Sequence, residues 1–297
     1  MDTRNLEKQI SLLTDPDRMK RSRAAFNIGR CAMQGQLDRR APELLVKLLN
    51  ETDREIRMNA AFAVGEYATQ GIFDKAVLKL LIKLLRDWSS KVRCRATTAL
   101  GEYAKRGFYD ERIIKPLIKF LTDDDKELRA NSGWTLGIYA IRSILEKSDS
   151  GLIDKILKTR DYNVNIGLSI AAGECIWENG LIKDRLLEIL IKLLNHNDFR
   201  IREGAAFIIG QNAEEKLTDE RILEPLLNLL KDEEPAVRIN AVFAIGTYAR
   251  IGVKQKYLVQ KLLKANKDPE KDVKETLKNI LLKIELEEAS IEKSVES

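Results

Sequence analysis

The side chains best suited to binding recur at a fixed spacing along this 297-residue chain. Asn59 precedes an aromatic ring, Phe62, by three residues, and the same order returns further along the chain. A glutamate, Glu66, follows that ring by four residues. Rings can serve as buried anchors in an interface, and neighbouring amides and carboxylates can fix the register of a bound segment by hydrogen bonding. The pattern therefore favours recognition of another molecule over catalysis.

Few residues of the types used in catalysis are present. The one histidine, His196, lies in a predicted turn, where we expect a solvated role. Cys31, Cys94 and Cys175 are far apart, which argues against a zinc site or a disulfide framework and is typical of a reducing compartment. The sequence contains no glycine-rich phosphate loop, metal-ligand spacing or nucleophile–base motif. We therefore expect no enzyme activity, no cofactor, no metal and no small-molecule substrate.

The candidate binding residues belong to a pattern that repeats about every 36 residues. Its clearest copy is Ile-Arg-Met-Asn-Ala-Ala-Phe-Ala-Val-Gly-Glu-Tyr-Ala, at residues 56–68. A fixed period of this size indicates a solenoid whose repeats bury their apolar faces against their neighbours. The glycine of the pattern returns in steps of 36 residues, with one step of 37, and gives way to leucine in the last copy: Gly29, Gly65, Gly101, Gly137, Gly173, Gly210, Gly246 and Leu282.

Each repeat is predicted to contain two helices joined by an acidic turn. The first is amphipathic, as at residues 78–85, and the second ends near a glycine such as Gly71, which is placed to cap it in a left-handed conformation. The predicted fold is all-α, a right-handed α–α superhelix of eight helix pairs in a single domain. The predicted repeats cover residues 4–37, 41–73, 75–109, 110–146, 149–182, 183–217, 219–253 and 256–285, and residues 286–297 are predicted to form an acidic tail.

The pattern resembles HEAT repeats, of the short bacterial and archaeal type also found in phycobilin lyases. The residues that carry the resemblance are Asp123, Arg129 and Leu136-Gly137, with counterparts in the other repeats. The resemblance implies an ion-pair ladder between a turn aspartate and a second-helix arginine from repeat to repeat. Asn165 replaces the arginine in the fifth repeat, where we expect an interruption. The other positions are held by Arg21, Arg57, Arg93, Arg129, Arg202 and Arg238, with Lys274 in the last repeat.

In HEAT solenoids the second helices line the concave surface. The resemblance therefore implies a groove on the side of the second helices that faces away from the first helices. At about 100° per residue, Ile56, Ala60 and Val64 share the inner side of the helix and Phe62 lies opposite. Contiguous exposed apolar surface usually marks an interaction site. The predicted partner-binding residues on this face are Phe26, Met58, Asn59, Phe62, Glu66, Arg95, Glu102, Asn131, Trp134, Ile170, Trp177, Phe207, Asn240 and Phe243.

Two interpretations of the rings remain open. They are exposed anchors in a groove, or they pack against neighbouring second helices as core between repeats. The asparagine–ring pair is similar to that of armadillo peptide receptors, in which the amide clamps an extended backbone, although the order of the two residues differs here. Walls formed by Glu66 and Glu102 would favour a basic or mixed extended segment.

Charge makes nucleic acid the alternative partner. The net charge is +5, and residues 285–297 hold five glutamates and one lysine, so the rest of the chain carries +9. Basic pairs such as Arg39-Arg40 and Lys105-Arg106, together with Arg250, lie between repeats, where they could follow a phosphate backbone. A HEAT-like DNA glycosylase and a chromophore lyase rank below this alternative. No membrane-spanning stretch or signal segment is found, so we expect a cytoplasmic protein without a membrane partner.

The functional prediction is a non-enzymatic scaffold or adaptor with an armadillo-like superhelix. It would bind an extended segment or a helix of another protein in the concave groove.

Overall fold

A computed structural model describes the backbone of residues 3–147, 151–159, 161–178, 180–213 and 219–295. Side chains are not described at residues 3, 4, 154 and 185, or over residues 142–147, 173–178, 180–183 and 287–295. The described residues form α-helices and two short 3-10 helices, without a strand. The all-α prediction is confirmed.

The first compact unit, unit 1, covers Met1–Tyr139. Its first helices are α1 (Thr3–Leu12), α3 (Ala41–Leu48), α5 (Lys75–Leu84) and α7 (Ile114–Phe120), the last preceded by a 3-10 turn at Glu111–Ile113. Its second helices are α2 (Arg18–Met33), α4 (Arg54–Thr69), α6 (Ser90–Lys105) and α8 (Lys126–Lys147), of which residues 126–139 lie in this unit.

The second compact unit, unit 2, covers Ala140–Ser297. Its first helices are α9 (Gly151–Leu157), α11 (Gly180–Leu194), α13 (Leu223–Leu229, after a 3-10 turn at Glu220–Ile222) and α15 (Gln255–Ala265). Its second helices are α10 (Tyr162–Glu178), α12 (Phe199–Asn212), α14 (Pro235–Arg250) and α16 (Lys271–Val295). Helix α16 continues beyond residue 285 because residues 271–295 contain strong helix formers and neither glycine nor proline. The prediction of one solenoid domain stays a prediction.

Short polar and glycine signals set the ends of the second helices. The carboxylate of Asp53 accepts a hydrogen bond from the backbone N–H of Glu55 at 2.8 Å and so caps the start of α4. Gly71 has a φ of 80°, and the N–H of Ile72 bonds back to the carbonyl of Tyr67 at 2.9 Å. The predicted left-handed caps are confirmed at Gly35, Gly71, Gly107 and Gly252.

Small and aliphatic residues form the core between helices. Ile56, Ala60 and Val64 of α4, predicted to share the inner side, are all buried, and so is Ala63. Leu45 of the preceding first helix is fully buried as well. Alanines at these positions allow neighbouring second helices to approach closely, which places their outer residues side by side.

An ion-pair ladder links consecutive turns, as the resemblance implied. The guanidinium of Arg57 contacts both oxygens of Asp87, with Nε to Oδ2 at 2.7 Å, and both side chains are more than nine-tenths buried. Arg57 also donates to the backbone carbonyls of Glu51 and Thr52. Asn165 occupies the arginine position in the fifth repeat, and its amide oxygen is buried without a hydrogen bond. Further rungs are Arg93–Asp123, Arg202–Asp232 and Arg238–Asp268.

Candidate functional site

One side of α2 carries five exposed side chains, which we call the α2 stripe: Met19, Arg23, Phe26, Arg30 and Met33. Met19, Phe26 and Met33 expose 55%, 43% and 59% of their surface, and the two arginines lie between them. The spacing of four and three residues puts all five on one face of the helix. Only Phe26 was among the predicted site residues. The signal that could have revealed Met19 and Met33 is their seven-residue spacing from Phe26.

Side-chain contacts extend from the α2 stripe to the next two second helices, α4 and α6. The ring centroids of Phe26 and Phe62 are 5.8 Å apart. On the far side, the guanidinium of Arg95 lies 5.4 Å from the centroid of the Phe62 ring, which places a cation over an aromatic face. The structure therefore brings together three of the predicted residues, one each from α2, α4 and α6.

The rings also explain three of the glycines that mark the repeats, Gly29, Gly101 and Gly210. The ring of Phe62 lies against Gly29 of the preceding second helix, so closely that a Cβ on the glycine would be 2.6 Å from a ring carbon. Phe243 lies against Gly210 with the same separation. Trp134 and Ile280 cover Gly101 and Gly246 in the same way, again too closely for any Cβ. We call each such glycine a ring socket, because the missing side chain makes room for an apolar group of the next repeat.

Each of the two interpretations of the rings holds for some positions. Trp134 is buried, with 8% of its surface exposed, and belongs to the core between repeats. Phe62 and Phe243 pack one side against a glycine and remain half-buried, as does Met58. Phe26 is exposed.

In unit 2 the predicted ring positions are less uniform. Ile170 exposes 51% of its surface. Phe207 is half-buried, and its ring centroid is 6.1 Å from that of the exposed Tyr162. The side chain of Trp177 lies outside the described residues.

The predicted asparagine clamps bond within the protein. The amide nitrogen of Asn59 donates to the hydroxyl of Ser22 at 2.9 Å and to the carbonyl of the same residue at 3.2 Å. The amide of Asn131 donates to the sulfur of Cys94 at 3.0 Å. Asn240 donates to the carbonyl of Ala236, one turn earlier in its own helix. Two of these amides therefore join adjacent second helices.

The glutamates on this face are balanced by neighbouring cations. Glu102 pairs with Lys105 at 3.6 Å, and both side chains are more than four-fifths buried. Partial burial raises the pKa of Glu66, and the nearby Arg95 guanidinium opposes that rise. The expected acidic walls are therefore largely compensated by positive charge.

The ring socket at Gly65 differs from the others. The residue that would cover it is Thr98, which is too short, and a Cβ on Gly65 would meet only Ala99, at 3.3 Å. The Thr98 hydroxyl donates to the carbonyl of Cys94 in its own helix. A pocket of about 50 Å³ remains above the glycine, with Phe62 in its wall.

Comparisons with known proteins identify the repeats. Residues 77–165 match a family model of HEAT repeats, and residues 222–252 match a model of the HEAT repeat. The chain therefore contains HEAT repeats in both of these segments. Its assignment to the phycobilin-lyase type stays a prediction. No curated protein matches the sequence.

The chain is similar to several solved structures of armadillo repeat proteins. Designed armadillo repeat protein YIII(Dq)4CqI shares 20% identity, with a TM-score of 0.39, over 94% of this chain and 99% of that chain. A computationally designed armadillo repeat protein for modular peptide recognition has the same identity and coverage, with a TM-score of 0.38. Designed armadillo repeat protein YIII(Dq.V1)4CPAF, in complex with peptide (KR)4, shares 19% identity over the same fractions, with a TM-score of 0.39.

Three basic residues of the linkers are engaged in internal contacts. Arg40 forms a two-point contact with Asp38, and Lys254 lies 2.6 Å from Glu220. Arg106 donates to the carbonyl of Thr69 at 2.7 Å. These contacts reduce the positive charge that the linkers can present to a phosphate backbone.

A row of buried tyrosines, which sequence reasoning did not single out, fixes the linkers of unit 1. The hydroxyl groups of Tyr67, Tyr103 and Tyr139 accept hydrogen bonds from the backbone N–H of Asp38, Asp74 and Asp110, at 3.1–3.4 Å. Burial raises the pKa of Tyr103 and Tyr139 to about 12. Each tyrosine follows the marker glycine by two residues, and this regular spacing was the available signal.

Clusters of metal ligands and membrane-spanning helices are both absent from the described part of the chain. It contains no group of three or more histidine, cysteine, aspartate or glutamate residues that could hold a metal ion. None of its helices is long and apolar enough to span a membrane.

Proposed function

We propose that this chain is a non-enzymatic scaffold that binds a segment of another protein on the second-helix face of unit 1. The observation that carries the proposal is the α2 stripe. Its three apolar side chains are Met19, Phe26 and Met33, and the first and last are separated by 14 residues, or about 21 Å of helix. An exposed apolar surface of this kind with charged neighbours is typical of an interaction site.

The residue types of the α2 stripe suit a protein partner. Methionine adapts its shape to an apolar surface, and a phenylalanine ring supplies a rigid contact. Seven-residue spacing matches the pattern with which one helix presents side chains to another. Arg23 and Arg30 would attract acidic groups on the same partner. A helix or an extended segment with apolar and acidic residues fits this surface.

The proposal is tested by affinity capture from a lysate of the source organism. The variant Met19→Ser, Phe26→Ser, Met33→Ser removes the apolar side chains, and its helical circular dichroism should be preserved because all three are exposed. The matched control is Trp88→Ser, since Trp88 exposes 69% of its surface in the turn between α5 and α6. We expect a protein that wild type and the control retain, with or without nuclease, and that the triple variant loses.

Two results would contradict the proposal. A protein retained equally by all three forms would bind elsewhere on the chain. Recovery of nuclease-sensitive nucleic acid by all three forms would support the alternative partner instead.

A further inference from the structure

Four ring sockets are filled by the chain itself. Gly29, Gly101 and Gly210 are covered by the rings of Phe62, Trp134 and Phe243, and Gly246 is covered by the branched side chain of Ile280. The backbone geometry at such a glycine therefore suits a flat ring from the adjacent second helix. This internal series shows which chemical group the socket accepts.

The socket at Gly65 is not filled from within. Thr98 stands where a ring would be, and a pocket of about 50 Å³ opens above the glycine. That volume is several times what one buried water needs, roughly 10–15 Å³. Ala61 and Ala99 form apolar walls beside Gly65, and the ring of Phe62 forms another. Because Phe62 also contacts Phe26, the pocket is continuous with the α2 stripe.

Charge at the rim favours a neutral occupant. Glu66 and Glu102 are balanced by Arg95 and Lys105, so the four groups sum to zero. A cationic side chain would gain little from this rim and would lose solvation on entering. An aromatic side chain would bury its ring against Phe62 and the alanines, and a phenol or indole donor could reach the rim carboxylates.

We propose that the Gly65 socket binds an aromatic side chain of the partner segment, in the way that neighbouring sockets bind rings of this chain. The inference rests on the proposed function, because the aromatic group belongs to the protein bound on the α2 stripe. It predicts that the partner carries one uncharged aromatic side chain next to the residues that contact Phe26. Phe62 lies between the two contacts and belongs to both.

The first test uses small probes and methyl nuclear magnetic resonance. N-acetyl-tyrosinamide and N-acetyl-phenylalaninamide should shift the methyl signals of Ala61 and Ala99 saturably, and N-acetyl-lysinamide should not. Thr98→Phe should fill the socket and raise the Kd of both aromatic probes at least tenfold. Thr98→Val, which keeps the size and leaves the socket open, should bind as wild type does. A rise in melting temperature for Thr98→Phe would verify that the new ring is seated.

A second variant covers the case in which Thr98→Phe fails to fold. Gly65→Ala raises the floor of the socket, and its Cβ meets Ala99 at only 3.3 Å. It should also raise the Kd of both aromatic probes. Equal binding of the lysine probe, or aromatic binding that neither variant changes, would overturn the proposal.

A phage-displayed peptide library separates the socket from the α2 stripe. Peptides selected by wild type should share one aromatic residue at a fixed position and should lose at least tenfold in affinity for Thr98→Phe, but not for Thr98→Val. The selected peptides could instead fail to bind the stripe variant Met19→Ser, Phe26→Ser, Met33→Ser and bind Thr98→Phe as tightly as wild type. That result would overturn the proposal for the Gly65 socket and leave the proposed function standing. The reverse result would support the socket and contradict the stripe.

Discussion

Trp134 lies against Gly101 so closely that a Cβ on the glycine would overlap the ring. The glycine belongs to α6 and the tryptophan to α8, so the contact joins consecutive repeats of unit 1. The same relation holds for Phe62 and Gly29. At Gly29, Gly101 and Gly210 the periodic glycine is thus a packing requirement imposed by an aromatic residue 33 positions later.

Alanine substitution should separate filled from open sockets. Gly101→Ala would force Trp134, which is buried, out of its position, and overpacking of this kind costs about 1–3 kcal/mol. Gly65→Ala meets only Ala99, and alanine is the better helix former by about 1 kcal/mol, so little net loss is expected. Urea unfolding followed by circular dichroism measures both. Equal destabilisation by the two variants would show that the glycines are not sockets.

Removing one partner of a buried rung should be costly. Arg57→Ala leaves Asp87 buried without its cation, which typically costs about 3–5 kcal/mol. The matched control is Arg18→Ala, because the Arg18 side chain is 71% exposed in its 3.5 Å pair with Asp53, and such pairs contribute at most about 1 kcal/mol. Thermal and urea unfolding of both variants provide the comparison. A small loss for Arg57→Ala would mean that the ladder does not stabilise the stacked repeats.

The raised pKa of Glu66 predicts how the stability of the folded protein depends on pH. Partial burial raises the pKa above the ordinary value of 4.5, so the unfolded chain releases this proton more readily than the folded protein does. Ionisation of Glu66 therefore disfavours folding as pH rises above about 4.5. Glu66→Gln should be more stable than wild type near neutral pH, and the difference should vanish in acid.

Carboxyl ¹³C titration gives the pKa of Glu66 directly, and Arg95→Ala should raise it further by removing the opposing cation. A titration midpoint below 4.5 in wild type would contradict this account of the pocket rim.

Features that depend on short or periodic sequence patterns could be predicted from the sequence. Asp53 caps a helix two residues away, Gly71 ends one locally, and the arginine–aspartate rungs follow a regular spacing. Each depends on residue types whose local chemistry is well defined.

Contacts between repeats were harder to infer. Asn59 resembled a free clamp, but its amide bonds to Ser22, 37 residues earlier. Whether Phe62 is core or surface depends on which residue lies opposite it on the neighbouring helix. Helical periodicity does not distinguish the two cases, because a buried ring and an exposed ring occupy the same position in the repeat. The α2 stripe was missed because the repeat with the clearest pattern, which contains residues 56–68, has Glu55 and Thr69 at the positions of Met19 and Met33. Neither residue is apolar.

The rungs of the ladder bear on how such a chain can change in length during evolution. Arg57 and Asp87 are 30 residues apart and belong to consecutive repeats, and the same separation recurs at Arg202–Asp232 and Arg238–Asp268. Duplicating a whole 36-residue segment copies one arginine and one aspartate, so the inserted segment can pair on both sides at once. An insertion that carried only one member of a rung would leave a buried charge without its partner at the junction. Growth by complete repeats is therefore the change in length that this architecture tolerates best.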